Sequence, residues 1–184
     1  MTEREELMQI IRELSYEERE VTLTSGRKSN FYFDGKQTTL HGRGGYLTGR
    51  LFYAEIMKFP GPVEGVGGPT MGADPIATAT SLVSCLEGTP IPAFIIRKEP
   101  KKHGTGQWIE GRKNLKPGAR VVIVEDVVTT GGSSMKAVER AREEGLEVLG
   151  VVVLVDREEG GREFLEEQGL TLRAVFTKSE VTGK

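Results

Sequence analysis

Apolar residues follow two rhythms along this chain. Residues 3–14 set Leu7, Ile10, Ile11 and Leu14 at helical spacing, which predicts an amphipathic helix. Residues 20–35, EVTLTSGRKSNFYFDG, alternate around Ser25-Gly26 in the manner of a hairpin. A further helix is expected over about 43–58, carried by Leu47, Leu51, Ala54 and Ile56. From residue 62 short apolar runs take over: 62–68, 91–97, 120–127, 147–156 and 172–177. Helical segments are expected between them over about 75–86, Ser133 to Glu144 and 161–168. Val/Ile runs without alternation mark strands buried on both faces. Strands that alternate with helices predict a parallel sheet with right-handed crossovers. The expected fold is therefore α/β, a parallel twisted sheet flanked by helices. A small N-terminal hood of helix and hairpin precedes it. One domain spans 1–184, with the hood and first helices in 1–60 and the sheet core in 61–184.

One connection breaks the rhythm. Residues 98–119, KEPKKHGTGQWIEGRKNLKPGA, show no clear apolar period. A structureless segment this long inside a domain is uncommon and often serves as a lid.

Composition narrows the function classes. The chain has 184 residues and a formal net charge of −2, so bulk charge gives no case for nucleic acid or an acidic membrane. Cys85 is the single cysteine, which excludes an intramolecular disulfide or a multi-cysteine metal site and favours a reducing, cytoplasmic setting. The charged N-terminus has no apolar signal core, and no apolar run is long enough to cross a bilayer.

The candidate chemistry lies where strands end. In such sheets ligands sit beyond the carboxyl ends of the strands. Three of those ends carry polar residues: GGPTMGADP, VEDVVTTGGSS and VDREEGG. In VVIVEDVVTTGGSS (121–134) an apolar strand runs into Glu125 and Asp126 and then into a turn of Thr, Gly and Ser. Two glycines before a helix let backbone N–H groups converge on an anion, and the helix dipole adds positive character. Ionised carboxylates accept hydrogen bonds but do not donate them, which suits vicinal hydroxyls. A ribose phosphate satisfies both halves. Taken singly, the turn also fits a plain strand–helix junction with Ser133 as N-cap. The acids equally fit direct Mg²⁺ ligation or a salt-bridged strand end.

Residues 121–134 resemble the 5-phosphoribosyl-1-diphosphate (PRPP) motif of type I phosphoribosyltransferases. The resemblance implies that Glu125 and Asp126 hold the ribose hydroxyls and that Thr129, Thr130, Gly131, Gly132 and Ser133 hold the 5-phosphate, with Val127 and Val128 between them also on PRPP. RKEPKKHGTG (97–106) and the following WIEG resemble the catalytic loop of the orotate phosphoribosyltransferase family, although a basic run is more often a solvated surface. This implies diphosphate contacts from Arg97, Lys98, Lys101 and His103, with Arg97 serving a neighbouring subunit. Lys101, His103 and Asp126 are the implied catalytic residues. SGRKSNFYF (25–33) is similar to the family's base-stacking hairpin, which assigns Phe33 to orotate, and Tyr32 less surely since it also suits a core. Thr129 is assigned to orotate as well. DREEG (156–160) resembles the family's strand-end arginine, so Arg157 is expected on the orotate carboxylate. Its plain alternative is a surface pair with Asp156 or Glu158.

The family implies a Mg²⁺-dependent homodimer whose lid residues are shared across the interface, with the metal held mainly through substrate and water. It commonly has lysine where this chain has Thr24 and Gly72; Lys28 and Lys36 are candidate replacements, and Gly67, Gly68 and Gly72 offer backbone N–H groups instead. Two alternatives stay open: a phosphoribosyltransferase for uracil or a purine, and a non-catalytic sensor of the sugar diphosphate.

Overall fold

A computed structural model describes residues 1–22, 28–100 and 107–184, the side chains of 21, 22 and 29 excepted. Helix α1 (Glu3–Leu14) starts at a capping box in which Thr2 and Glu5 bond each other's backbone N–H. It buries Leu7 and Ile11. Strands β1 (Tyr16–Thr22) and β2 (Lys28–Phe33) pair antiparallel. The expected turn at Ser25-Gly26 lies outside the described residues. A short helix the periodicity did not announce, α2 (Gly35–Thr39), follows, with Asp34 accepting from the Lys36 N–H as N-cap. Helix α3 (Gly42–Ile56) buries Leu47, Phe52 and Ile56.

The core then alternates as its apolar runs require: β3 (Gly65–Pro69), α4 (Ala73–Leu86) and β4 (Ala93–Ile96) come first. A two-residue strand β5 (Ile109–Glu110) precedes β6 (Arg120–Val128), α5 (Gly132–Glu143) and β7 (Glu147–Asp156). Helix α6 (Gly161–Glu167), β8 (Thr171–Thr177) and α7 (Lys178–Thr182) complete the chain. The sheet order is β5-β4-β3-β6-β7-β8. Five strands run parallel and β5 lies antiparallel on β4, so the sheet is mixed only at that edge.

The pleat divides the core. Val122, Val124, Val152 and Leu154 face α1, α3 and α4, whereas Val121, Ile123, Val151 and Val153 face α5 and α6. Each fully buried Leu, Ile or Phe contributes about 1.5–3 kcal/mol relative to exposure.

The connection 98–119 is not structureless throughout. Ile109 pairs with Ile96 on the sheet edge, a 3₁₀ turn forms over Arg112–Asn114, and Ile109 and Leu115 are buried. The Arg140 guanidinium stacks 3.7 Å from the centre of the Trp108 ring. Two isolated apolar anchors set no period, yet they suffice to pin residues 107–119 to the domain. Among the described residues, no helix is long and apolar enough to cross a membrane.

Candidate active site

Neighbouring parallel strands β3, β6 and β7 deliver the three polar strand ends to one edge of the sheet. The Arg157 N–H donates to the Val128 carbonyl at 3.0 Å, and a Cβ on Gly161 would lie 2.7 Å from the Thr129 carbonyl oxygen. The second and third ends are thus in contact. The first joins them at Asp126, because a Cβ on Gly72 would come 2.5 Å from Asp126 Oδ1.

Glu125 and Asp126 lie next to each other in sequence but on opposite faces of β6, as strand alternation demands. Glu125 faces α5 and accepts the Ser133 hydroxyl at 2.7 Å and the Ser134 hydroxyl. Burial pushes its pKa up, against those two bonds. Asp126 faces the hood. A Cβ on Gly35 would lie 2.8 Å from Asp126 Cβ and 3.2 Å from Phe33 Cε1, so Asp126 and the Phe33 ring meet over this glycine. Burial raises the Asp126 pKa, and the charge of Lys36 is the largest influence opposing it.

The turn after β6 has the conformation its glycines permit. Gly131 has φ +80° and is itself the N-cap of α5, with no side chain capping the helix. Ser133 is not the cap; it lies one residue inside the helix, and its hydroxyl donates to Glu125. The helix N-terminus therefore keeps its backbone N–H groups directed beyond the sheet edge, next to Thr129 and Thr130.

The aromatic part of the site comes from β2. Phe33 stacks on Phe31, with ring centres 6.0 Å apart and planes 8° from parallel. Tyr32 points to the other face, where the Arg19 guanidinium covers its ring at 3.9 Å. Arg157 is buried beside this stack: it donates to the Phe31 carbonyl at 3.3 Å and pairs with Glu159 at 3.1 Å. Among the described residues its ion pair is with Glu159, where Asp156 or Glu158 had been the surface alternatives. Asp156 pairs with Arg162, and Glu158 accepts from Ser179.

Arg97 extends from the end of β4 and pairs with Glu110 at 2.9 Å; Lys98 is exposed beside it. Lys101 and His103 lie outside the described residues, as does Thr24. Of the two lysines considered as replacements, Lys28 is exposed on the hairpin and paired with Glu20 at 2.8 Å. Lys36 stands next to Gly35 and pairs with Asp34 at 2.6 Å. Gly67 and Gly68 are packed strand residues, where a Cβ would collide with the carbonyls of Phe94 and Val124. Close strand packing, rather than an anion, accounts for those two glycines. Periodicity did not single out Ser134 or Gly35, because their importance lies in contacts with β6.

An anion turn and a buried carboxylate at the carboxyl edge of this sheet define the class: residues 49–166 match the family described as "Phosphoribosyl transferase domain". The orotate phosphoribosyltransferase of Nostoc sp. is 50% identical over 176 residues, covering 96% of this chain and 84% of that protein. That of Aquifex aeolicus is 48% identical over 184 residues, covering 98% of each. The crystal structure of Mycobacterium tuberculosis orotate phosphoribosyltransferase in complex with PRPP is 38% identical, with TM-score 0.80 and coverage of 98% of this chain and 99% of that one. The chain belongs to the orotate phosphoribosyltransferase family and is an enzyme of that type.

Proposed function

We propose that this chain transfers the 5-phosphoribosyl group of PRPP to orotate, giving orotidine 5′-phosphate and diphosphate on the route to UMP. The observation that carries the reading is the meeting of Asp126, the Phe33 ring and the open N-terminus of α5 at one sheet edge. The turn Thr129–Ser133 takes the 5-phosphate on its N–H groups. Ionised Asp126 accepts the ribose hydroxyls, and Glu125 reaches the same turn through Ser133 and Ser134. Orotate lies against Phe33 and Thr129, its carboxylate drawn to Arg157.

In the reaction the C1–O bond to diphosphate breaks and a bond from C1 to the orotate ring nitrogen forms. The site acts by holding nitrogen and C1 in line and by stabilising the departing diphosphate. Arg97, Lys98, Lys101 and His103 are assigned to that diphosphate, with Lys101 and His103 acting as the bond breaks. Closure of the basic segment over the site keeps water from C1.

Mg²⁺ suits the hard carboxylate oxygens of Asp126 and, when bound, would lower the charge the leaving group carries. Among the described residues no group of three or more His, Cys, Asp or Glu is placed to hold a metal. In this proposal the ion is held mainly by substrate oxygens and water.

A homodimer completes the proposal. Leu40, Met71 and Leu82 are exposed and line one cavity of about 450 Å³ next to Lys36, with exposed Leu86 one turn further along α4. A second copy on this apolar face would sit beside the active site, where its basic loop is needed. The phosphorylated sugar substrate and the single cysteine support a cytoplasmic setting.

The test is to mix the protein with PRPP, Mg²⁺ and each of orotate, uracil and hypoxanthine, and to follow the base by absorbance. Consumption of orotate alone, abolished by a chelator, is the expected result. Consumption of uracil or hypoxanthine instead would move the chain to another base. Binding of PRPP without turnover of any base would make it a sensor.

A further inference from the structure

The sugar-diphosphate end of this site is rich in carboxylates. Asp126 lies at its floor against Gly35 and Gly72. Asp34 begins α2, and Asp74 begins the first turn of α4. Asp74 Oδ2 accepts the Thr70 hydroxyl at 2.8 Å, while its Oδ1 is buried with no hydrogen-bond partner among the described residues. A polyanion entering here needs a cation fixed in place, and position 72 supplies none: it is Gly72, where even a Cβ would come 2.5 Å from Asp126 Oδ1 and make the carboxylate shift.

We propose that Lys36 is the side-chain cation that meets the diphosphate-bearing end of the sugar substrate. This rests on the phosphoribosyl-transfer reading above. Lys36 follows Gly35, whose backbone touches Asp126, and α2 packs against β6. It also borders the same cavity as Met71 of the β3–α4 loop and Asp74 of the first turn of α4. Its ammonium is held by Asp34 at 2.6 Å, yet the side chain stays 38% exposed, so it is placed but reachable. The hydrogen bond that its ammonium donates to Asp34, with a smaller contribution from the charge of Asp126, holds its pKa above the usual lysine value. Asp34 thus acts as a rest position for the ammonium, which substrate oxygens then share or take over. Lys28 has no such placement, being turned to solvent with Glu20.

The experiment measures affinity for PRPP and for ribose 5-phosphate by calorimetry in the full chain, with steady-state kinetics alongside. Lys36→Ala should weaken PRPP binding about 10- to 100-fold, the worth of one charge-assisted contact, and leave ribose 5-phosphate nearly unchanged. Lys36→Arg should restore most of the loss, and Lys28→Ala should behave as the parent. Asp34→Asn keeps an N-cap but frees the ammonium, so it should bind PRPP as well as the parent or better. Parental PRPP affinity in Lys36→Ala would overturn the proposal. Equal losses in Lys36→Ala and Asp34→Asn would also overturn it, because the pair would then be structural. Failure of the parent to use orotate while it binds PRPP would sink the substrate reading alone, leaving the Lys36 comparison to be scored by binding.

Discussion

Asp126 shows how much one position can demand. In the proposed ribose role its carboxylate has to be ionised to accept hydroxyls, yet burial favours the neutral form. Affinity for PRPP should therefore fall on acidification at a pH above the ordinary aspartate range of about 4. The stability contribution has the opposite sign. A carboxyl whose folded pKa lies above its unfolded one binds the proton more readily when folded, so its favourable contribution is present at low pH and lost as pH rises through the folded pKa. Binding titrations across the acid range, with melting curves on the same samples, should show affinity lost without a matching loss of stability from this group. Asp126→Asn should abolish PRPP binding at every pH and leave the melting temperature at or above the parent's. Normal affinity in that variant would remove the ribose role.

At the scale of elements, the turn between β6 and α5 is the part that backbone geometry controls most tightly. Gly131 sits at φ +80°, and a Cβ there would also come 2.9 Å from the Phe164 ring and 3.0 Å from the Gly161 carbonyl. Gly131→Ala should cost at least about 1–2 kcal/mol in a denaturant titration. Ribose 5-phosphate affinity should drop with it, since the same turn aims the N–H groups. The basic segment after β4 is proposed to act on the chemical step instead. Lys101→Ala should lower kcat by about 30- to 1000-fold, equivalent to about 2–4 kcal/mol of transition-state stabilisation, with a small change in orotate affinity. Unchanged turnover in single-turnover assays would rule Lys101 out of that step. The element boundaries themselves were readable in advance wherever an apolar run was long, as in β6 and β7. Strand β5 and helix α2 were not, because two residues or five carry too little periodicity to register.

For the whole molecule, the proposed homodimer would use the exposed apolar patch of Leu40, Met71, Leu82 and Leu86, and so would tie assembly to activity. Leu82→Glu should shift the protein towards monomers in sedimentation velocity and lower turnover in parallel, while circular dichroism stays unchanged. Full activity as a monomer would separate the basic loop from any neighbouring subunit. At this scale the chain's own pattern determined a good deal: an α/β sheet with buried parallel strands, polar residues gathered at their carboxyl ends, and an acid pair followed by a glycine turn into a helix. Those features are local, written in runs, spacing and residue type, and so they survive translation from sequence alone. What only the folded chain decided is which groups face one another. The pleat of β6 sends Glu125 to the helix and Asp126 to the hood, although they are neighbours in sequence. Packing of α2 on β6 brings Lys36 to Asp126 across ninety residues of chain. Contacts of that kind depend on how separate elements are set against each other, and no period within either element encodes the meeting.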